Sequence, residues 1–207
     1  MGSIKRTLIA LAAAGVAALA AAAPANAGLL VASAEDCDAQ TSSQVFLRWL
    51  DPMRYVPAPG GDAESAAGWT LSGGARVVSG NEPWKVGDRA DTSSLLLPRG
   101  SQATTGGMGV GIEQPTVRFF ARRTSGWLLD SLKVEVLFEG AGGKVNSLPV
   151  GLVLAGGSWQ PTLPYPVLAN LLPLLPGEQT PVAFRFTPVG GGSWQIDDVY
   201  VDPWRSR

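Results

Sequence analysis

Apolar and polar residues alternate with a period of two along much of this chain, and that period predicts β-strands. In the run from Thr116 to Arg122, Val117, Phe119 and Ala121 share one face, while Arg118 and Arg122 share the other. Leu132, Val134, Val136 and Phe138 repeat the pattern around Lys133 and Glu135. Val182, Phe184 and Phe186 repeat it again around Arg185. Weaker strand patterns cover 69–78, 94–97, 109–112, 149–154 and 194–201. With 26 Gly and 16 Pro spread along the chain, long helices are not expected. The best candidate for a short helical turn is 167–175, interrupted by Pro173 and followed by Pro176. About eight short strands with one apolar face predict an all-β fold over 61–207, a two-sheet β-sandwich or a jelly roll. Residues 28–60 differ in character: polar around a cysteine, then proline-rich. They are expected to form an irregular N-terminal extension laid on the sandwich.

The first 27 residues break the alternation. Lys5-Arg6 precede an apolar, alanine-rich run from Leu8 to Ala23, and Ala25-Asn26-Ala27 fits the small-x-small rule for signal cleavage. The run is short for a membrane span, so 1–27 is expected to be a signal peptide rather than an anchor. The mature chain is then secreted, begins near Gly28 and does not span a membrane. It is released, or held to the cell surface non-covalently.

Composition narrows the chemistry. The chain has no histidine, which excludes Ser-His-Asp and Cys-His catalysis, His-ligated zinc and imidazole acid–base work. Sixteen basic residues stand against 17 acidic ones without a basic stripe, so nucleic acid is not an expected partner. Cys37 is the only cysteine and has no partner for an internal disulfide. It is either buried and inert or available to another molecule.

The segment Trp194-Gln195-Ile196-Asp197-Asp198-Val199-Tyr200-Val201-Asp202 places two adjacent carboxylates among strong strand formers. Neighbours on a strand point to opposite faces, so one of the two Asp is expected to point toward the apolar side. A charge there is costly unless it is paired or bound to a metal. The segment therefore predicts either a structural cation site or a buried hydrogen-bond hub.

Gly60-Gly61-Asp62-Ala63-Glu64 followed by Gly68-Trp69-Thr70-Leu71 opens the domain, and Phe184-Arg185-Phe186 with Trp194-Gln195-Ile196-Asp197-Asp198-Val199 closes it. Over 61–203 this resembles the galactose-binding-like jelly rolls, including many carbohydrate-binding modules. The whole chain is also similar to a group of small secreted actinobacterial proteins of unknown function. That likeness runs through Gly73-Gly74-Ala75-Arg76-Val77-Val78-Ser79-Gly80-Asn81-Glu82-Pro83, Arg118-Phe119-Phe120-Ala121-Arg122 and Leu148-Pro149-Val150-Gly151. The second resemblance implies a cysteine where this chain has Met108-Gly109, so Cys37 here lacks the disulfide partner its relatives carry. The first implies a structural Ca2+ between the opening turn and the closing strand. Its implied ligands are Glu64 and Asp198, with Asp62 and Asp197 as weaker candidates. Calcium takes several hard oxygen ligands, which suits carboxylates and the carbonyls of a glycine-rich turn. The other reading is a set of carboxylates accepting backbone N–H bonds at a chain crossing.

Seven tryptophans are the remaining clue. Trp69 and Trp194 lie within strand patterns and are expected in or near the core. Trp84, Trp127 and Trp159 each follow a turn signal and are the candidate ligand-binding residues, because a loop tryptophan can stack on a sugar ring. Each could instead plug an end of the sandwich. Arg118, Arg122 and Arg185 are expected on one outer sheet face, either meeting acidic glycans or keeping the surface soluble. Glu135 and Glu139 lie too far apart along a strand for a glycosidase pair and are expected on a wet face. Gly107-Met108-Gly109-Val110-Gly111 leads into a strand, not a helix, so it does not read as a dinucleotide loop. No catalytic residue is expected. The functional expectation is a secreted, non-catalytic module for a polysaccharide or cell-surface glycan. A structural or adhesive envelope protein and a small glycan-active enzyme are the alternatives. The sequence does not define the oligomeric state.

Overall fold

The computed structural model describes residues 41–110, 116–140, 143–167 and 180–202. The predicted signal peptide, Cys37, Trp204, the 111–112 end of one predicted strand and all but Val167 of the predicted helical turn lie outside the described residues.

Two antiparallel sheets face each other. The seven-stranded sheet runs β10 (Gln160–Pro161), β7 (Thr116–Ser125), β13 (Ser193–Asp202), β4 (Ser93–Leu97), β3 (Arg76–Ser79). In the same sheet β1 (Val56–Pro57) pairs with β13, and β11 (Tyr165–Pro166) pairs with β7. The six-stranded sheet runs β2 (Trp69–Ser72), β5 (Gln102–Thr105), β12 (Thr180–Val189), β8 (Ser131–Glu139), β9 (Val145–Val153), with β6 (Met108–Val110) added to β12. Residues Leu47–Trp49 form a 3-10 turn, and among the described residues no helix is long and apolar enough to cross a membrane. The architecture is the expected two-sheet jelly roll.

The alternating positions behave as the pattern requires. Val117, Phe119 and Ala121 of β7, Leu132, Val134 and Val136 of β8, and Val182, Phe184 and Phe186 of β12 are buried together between the sheets. The pattern predicts one strand over 69–78, whereas the structure has two, β2 and β3, in different sheets. Gly73 and Gly74 turn the chain there with φ of 62° and 89°, and a Cβ on Gly73 would stand 2.5 Å from the Gly100 carbonyl oxygen. The three arginines expected on one face are divided: Arg118 and Arg122 belong to β7, and Arg185 belongs to β12 in the other sheet.

The outer face of the seven-stranded sheet is not wet. Phe120 lies between Arg118 and Arg122 on that face, and residues 43–55 cover it. Phe46, Tyr55, Phe120 and Tyr200 form a second buried cluster, with Trp49, Trp84 and Trp159 packed against it. The Phe46 ring stacks on Phe120 at 5.5 Å and meets Tyr55 edge-on at 4.9 Å. The segment is also tied by backbone bonds between Ser43 and Tyr55 and by the pairing of Val56 with Val201. Residues 43–55 thus build a third layer.

Candidate functional site

The two carboxylates of β13 sit at a bulge. Asp197 is registered with Phe120 and Tyr200 with Arg118, so two residues of β13, Asp198 and Val199, face one of β7. Asp198 takes a left-handed conformation with φ of 51°. Ile196 and Val199 remain in the core between the sheets. The bulge removes the expected conflict: neither carboxylate belongs to that apolar core, and both lie under the loop that leads from β3 to β4. Glu82 of that loop is fully buried. Its carboxylate accepts the N–H groups of Trp84 at 2.6 Å and Val86 at 2.7 Å, and its own N–H donates to Asp197 at 2.9 Å. Asp197 also accepts the Asp198 N–H at 3.0 Å. Gly87 is required here, since a Cβ on it would stand 2.6 Å from Asp198 Oδ1 and 2.9 Å from Asp91 Oδ2.

This cluster is electrostatically one-sided. Burial pushes the Asp197 carboxyl up to about 9, assisted by the charges of Asp198 and Glu82. Burial pushes Asp198 up to about 8, with Glu82, Asp91 and Asp62 adding repulsion. Asp91 is raised by burial and by Glu64, Asp62 and Asp88. Asp198 Oδ2 is buried without a hydrogen-bond partner among the described residues. The orphaned Asp198 oxygen is the one atom of the cluster with the chemistry of a free hard-cation ligand. Glu64 and Asp197 fit that role less well than Asp198. Both oxygens of Glu64 are engaged, by the N–H groups of Thr92 and Ser93 at 2.8 and 2.7 Å and by the Thr92 hydroxyl. Burial alone would raise Glu64, yet these bonds hold its carboxyl below the ordinary value. Both oxygens of Asp197 accept N–H bonds. Asp62 is exposed and its Oδ1 accepts the Glu64 N–H at 3.4 Å. Among the described residues no group of three or more His, Cys, Asp or Glu stands ready to hold a metal ion.

The candidate tryptophans separate into two settings. Trp84 is half-buried, edge-on to Trp49 at 5.0 Å and 5.5 Å from Phe120. Trp159 is half-buried under Arg122, whose guanidinium lies 4.9 Å from its ring centre. Both complete the outer aromatic layer. Trp127 stands open at the β7–β8 turn, 75% exposed. The three do not converge on one site.

A cleft of about 390 Å³ opens where the extension meets the seven-stranded sheet. Trp49, Met53 and Leu163 line it on the apolar side, and Asp51, Arg118 and Asp202 on the polar side. Arg118 is buried, pairs with Asp51, and donates to the Thr162 carbonyl at 2.7 Å. Asp51 also accepts the Tyr55 hydroxyl at 2.7 Å. Burial and the Asp51 charge raise Asp202 to about 6. Leu163, 75% exposed, stands between this cleft and a second hollow of about 410 Å³ lined by Leu152, Leu154 and Tyr165. No sequence pattern marks these residues as one site. They come from the extension, β7, the β10–β11 link and the end of β13.

On the six-stranded sheet, Glu135 is buried rather than wet. Arg185 lies 2.9 Å and Lys133 3.2 Å from its Oε2.

No family model matches the chain, and no curated protein matches it. Among solved structures it is similar to the N-terminal CBM22-1-CBM22-2 tandem domain of Paenibacillus barcinonensis Xyn10C, with 11% identity and a TM-score of 0.50, over 74% of this chain and 46% of that one. It is also similar to the CBM22-1 xylan-binding domain of the same protein, with 12% identity and a TM-score of 0.47 over 70% of this chain and 93% of that one. The family 11 carbohydrate-binding module of Clostridium thermocellum Lic26A-Cel5E gives 10% identity and a TM-score of 0.37 over 69% and 91%. The fold is that of the jelly-roll carbohydrate-binding modules.

Proposed function

We propose that this chain is a secreted, non-catalytic carbohydrate-binding module that takes a polysaccharide or cell-surface glycan in the cleft between the extension and the sandwich. The observation that carries the reading is the composition of that cleft: an aromatic and aliphatic rim over a fixed Arg118–Asp51 pair. Sugars present apolar ring faces and hydroxyl edges, and a concave site with an apolar wall and a few placed polar groups suits both. The commitment of Glu135 to Lys133 and Arg185 supports a non-catalytic role, since a glycosidase carboxylate must be free for the reacting bond. A structural Ca2+ is part of the proposal, with Asp198, whose Oδ2 has no hydrogen-bond partner among the described residues, as its carboxylate ligand. The ion would neutralise the buried carboxylates and stabilise the loop from β3 to β4.

The test is retention on a panel of immobilised xylan, galactan, β-glucan, cellulose and cell-wall material, using the wild type and Leu163→Asp. Dissociation constants of about micromolar to millimolar are expected, about −8 to −4 kcal/mol. Leu163→Asp should abolish retention with an unchanged melting temperature, because Leu163 is exposed. Absence of any binder on the panel would overturn the reading and favour the envelope role, which the packed positions of Trp84 and Trp159 would also serve.

A further inference from the structure

The β7–β8 turn carries three large apolar side chains in succession, all pointing to solvent: Trp127, Leu128 and Leu129 are 75, 74 and 79% exposed. Val189, at the adjoining β12–β13 turn, is 43% exposed. Exposed runs of this kind are costly to solubility and mark interaction sites.

The turn is held in place. Asp130 accepts the Trp127 N–H at 2.6 Å and, across the gap between hairpins, the Gly191 N–H at 2.9 Å. Arg123 donates to the Trp127 carbonyl. The two turns are in contact: a Cβ on Gly126 would stand 2.4 Å from the Gly192 Cα. The apolar tip is therefore a rigid protrusion that both hairpins build.

We infer that this tip inserts into an anionic lipid bilayer, with Trp127, Leu128 and Leu129 entering the headgroup–acyl boundary and Arg99 and Arg123 meeting lipid phosphates. Two observations select a bilayer over a protein partner. The apolar tip is three residues with Val189 beside them, against the roughly 20–30 residues a side of a standard protein interface. A bilayer accepts a small apolar wedge, and tryptophan is favoured at its boundary. The cations beside the tip are Arg99 and Arg123, both close enough to act on Asp130. Asp130 is the carboxylate that fixes the turn, and its charge is turned toward backbone N–H groups. Cationic side chains around an apolar wedge complement an anionic leaflet.

The experiment is co-sedimentation of the mature protein with phosphatidylcholine vesicles, with and without phosphatidylglycerol. It is repeated with the triple variant Trp127→Ser, Leu128→Ser, Leu129→Ser and with Arg99→Gln. The wild type should bind the mixed vesicles, and the triple variant should lose at least about tenfold in affinity. Arg99→Gln should lose about fivefold on the anionic vesicles and nothing on the neutral ones. Melting temperatures and polysaccharide retention of the variants should match the wild type, which separates this test from that of the cleft. Failure of the wild type to bind either vesicle overturns the inference, as does equal binding by the triple variant. A concentration-dependent dimer that the triple variant dissolves would assign the tip to a second copy of the chain. Loss of polysaccharide retention by the triple variant would assign it to glycan; either result overturns the bilayer.

Discussion

Phe46→Ala tests whether the extension is a structural layer or a loose arm. The ring is fully buried. It stacks on Phe120 at 5.5 Å, meets Tyr55 at 4.9 Å and Tyr200 at 6.0 Å, and lies beneath the Arg118 guanidinium at 4.3 Å. Truncating a buried phenylalanine costs about 3 to 5 kcal/mol through lost transfer energy and the cavity left behind. Each aromatic pair adds about 0.5 to 1.5 kcal/mol beyond burial, so the upper part of that range is expected. For a domain of this size each kcal/mol lowers the midpoint by about 2 to 4 °C, giving a loss of about 6 to 20 °C. Urea unfolding followed by far-ultraviolet dichroism, which reads the sheets, and tryptophan fluorescence measures it. If the layer detaches first, the fluorescence transition precedes the dichroism transition. A change below about 1 kcal/mol with coincident transitions would refute the packing argument, because no fully buried ring with these neighbours is that cheap to remove.

Asp202 provides a pH test. Its folded value of about 6 lies above the ordinary 3.8, so its protonated form favours folding. That contribution is complete below 3.8 and is lost as pH rises through 6. Asp202→Asn should raise stability at pH 7.5 by about 1 to 3 kcal/mol and have no effect near pH 3.5; equal effects at both pH values would contradict the assignment. Calcium should raise the melting temperature of metal-stripped protein by about 1 to 2 kcal/mol equivalent. Asp198→Asn should abolish the response and Glu64→Gln should preserve it; an unchanged melt with added calcium would remove the ion. Glu135→Gln should cost about 1 to 2 kcal/mol, because Arg185 and Lys133 lose their shared partner on a half-exposed face; double-mutant cycles with Arg185→Met measure the coupling.

The long strands were readable because their two faces differ. β7, β8 and β12 alternate, and the inward set read from sequence is the set that packs. The third layer had a signal of its own: Phe120 lies on the arginine face of β7, where a wet surface gives an aromatic no partner. Phe46, Trp49 and Tyr55 were the matching residues in the extension. β1, β10 and β11 have two residues each and exist only through the strands they join, so no local pattern marks them. The bulge at Asp198 was likewise invisible, because it depends on register with β7. The cleft could not be read at all: Asp51, Arg118, Leu163 and Asp202 are far apart in sequence, and only the topology brings them together. The exposure of Trp127 against the packing of Trp84 and Trp159 followed from whether a covering layer lies over each turn.

The most direct measurement is a crystal structure with the oligosaccharide that the polysaccharide panel selects. Sugar density in the cleft, with a ring against Trp49 or Leu163 and hydroxyls on Arg118 and Asp51, is the predicted result. Density over the outer face of the six-stranded sheet at Arg185, or at the Trp127 tip, would contradict it.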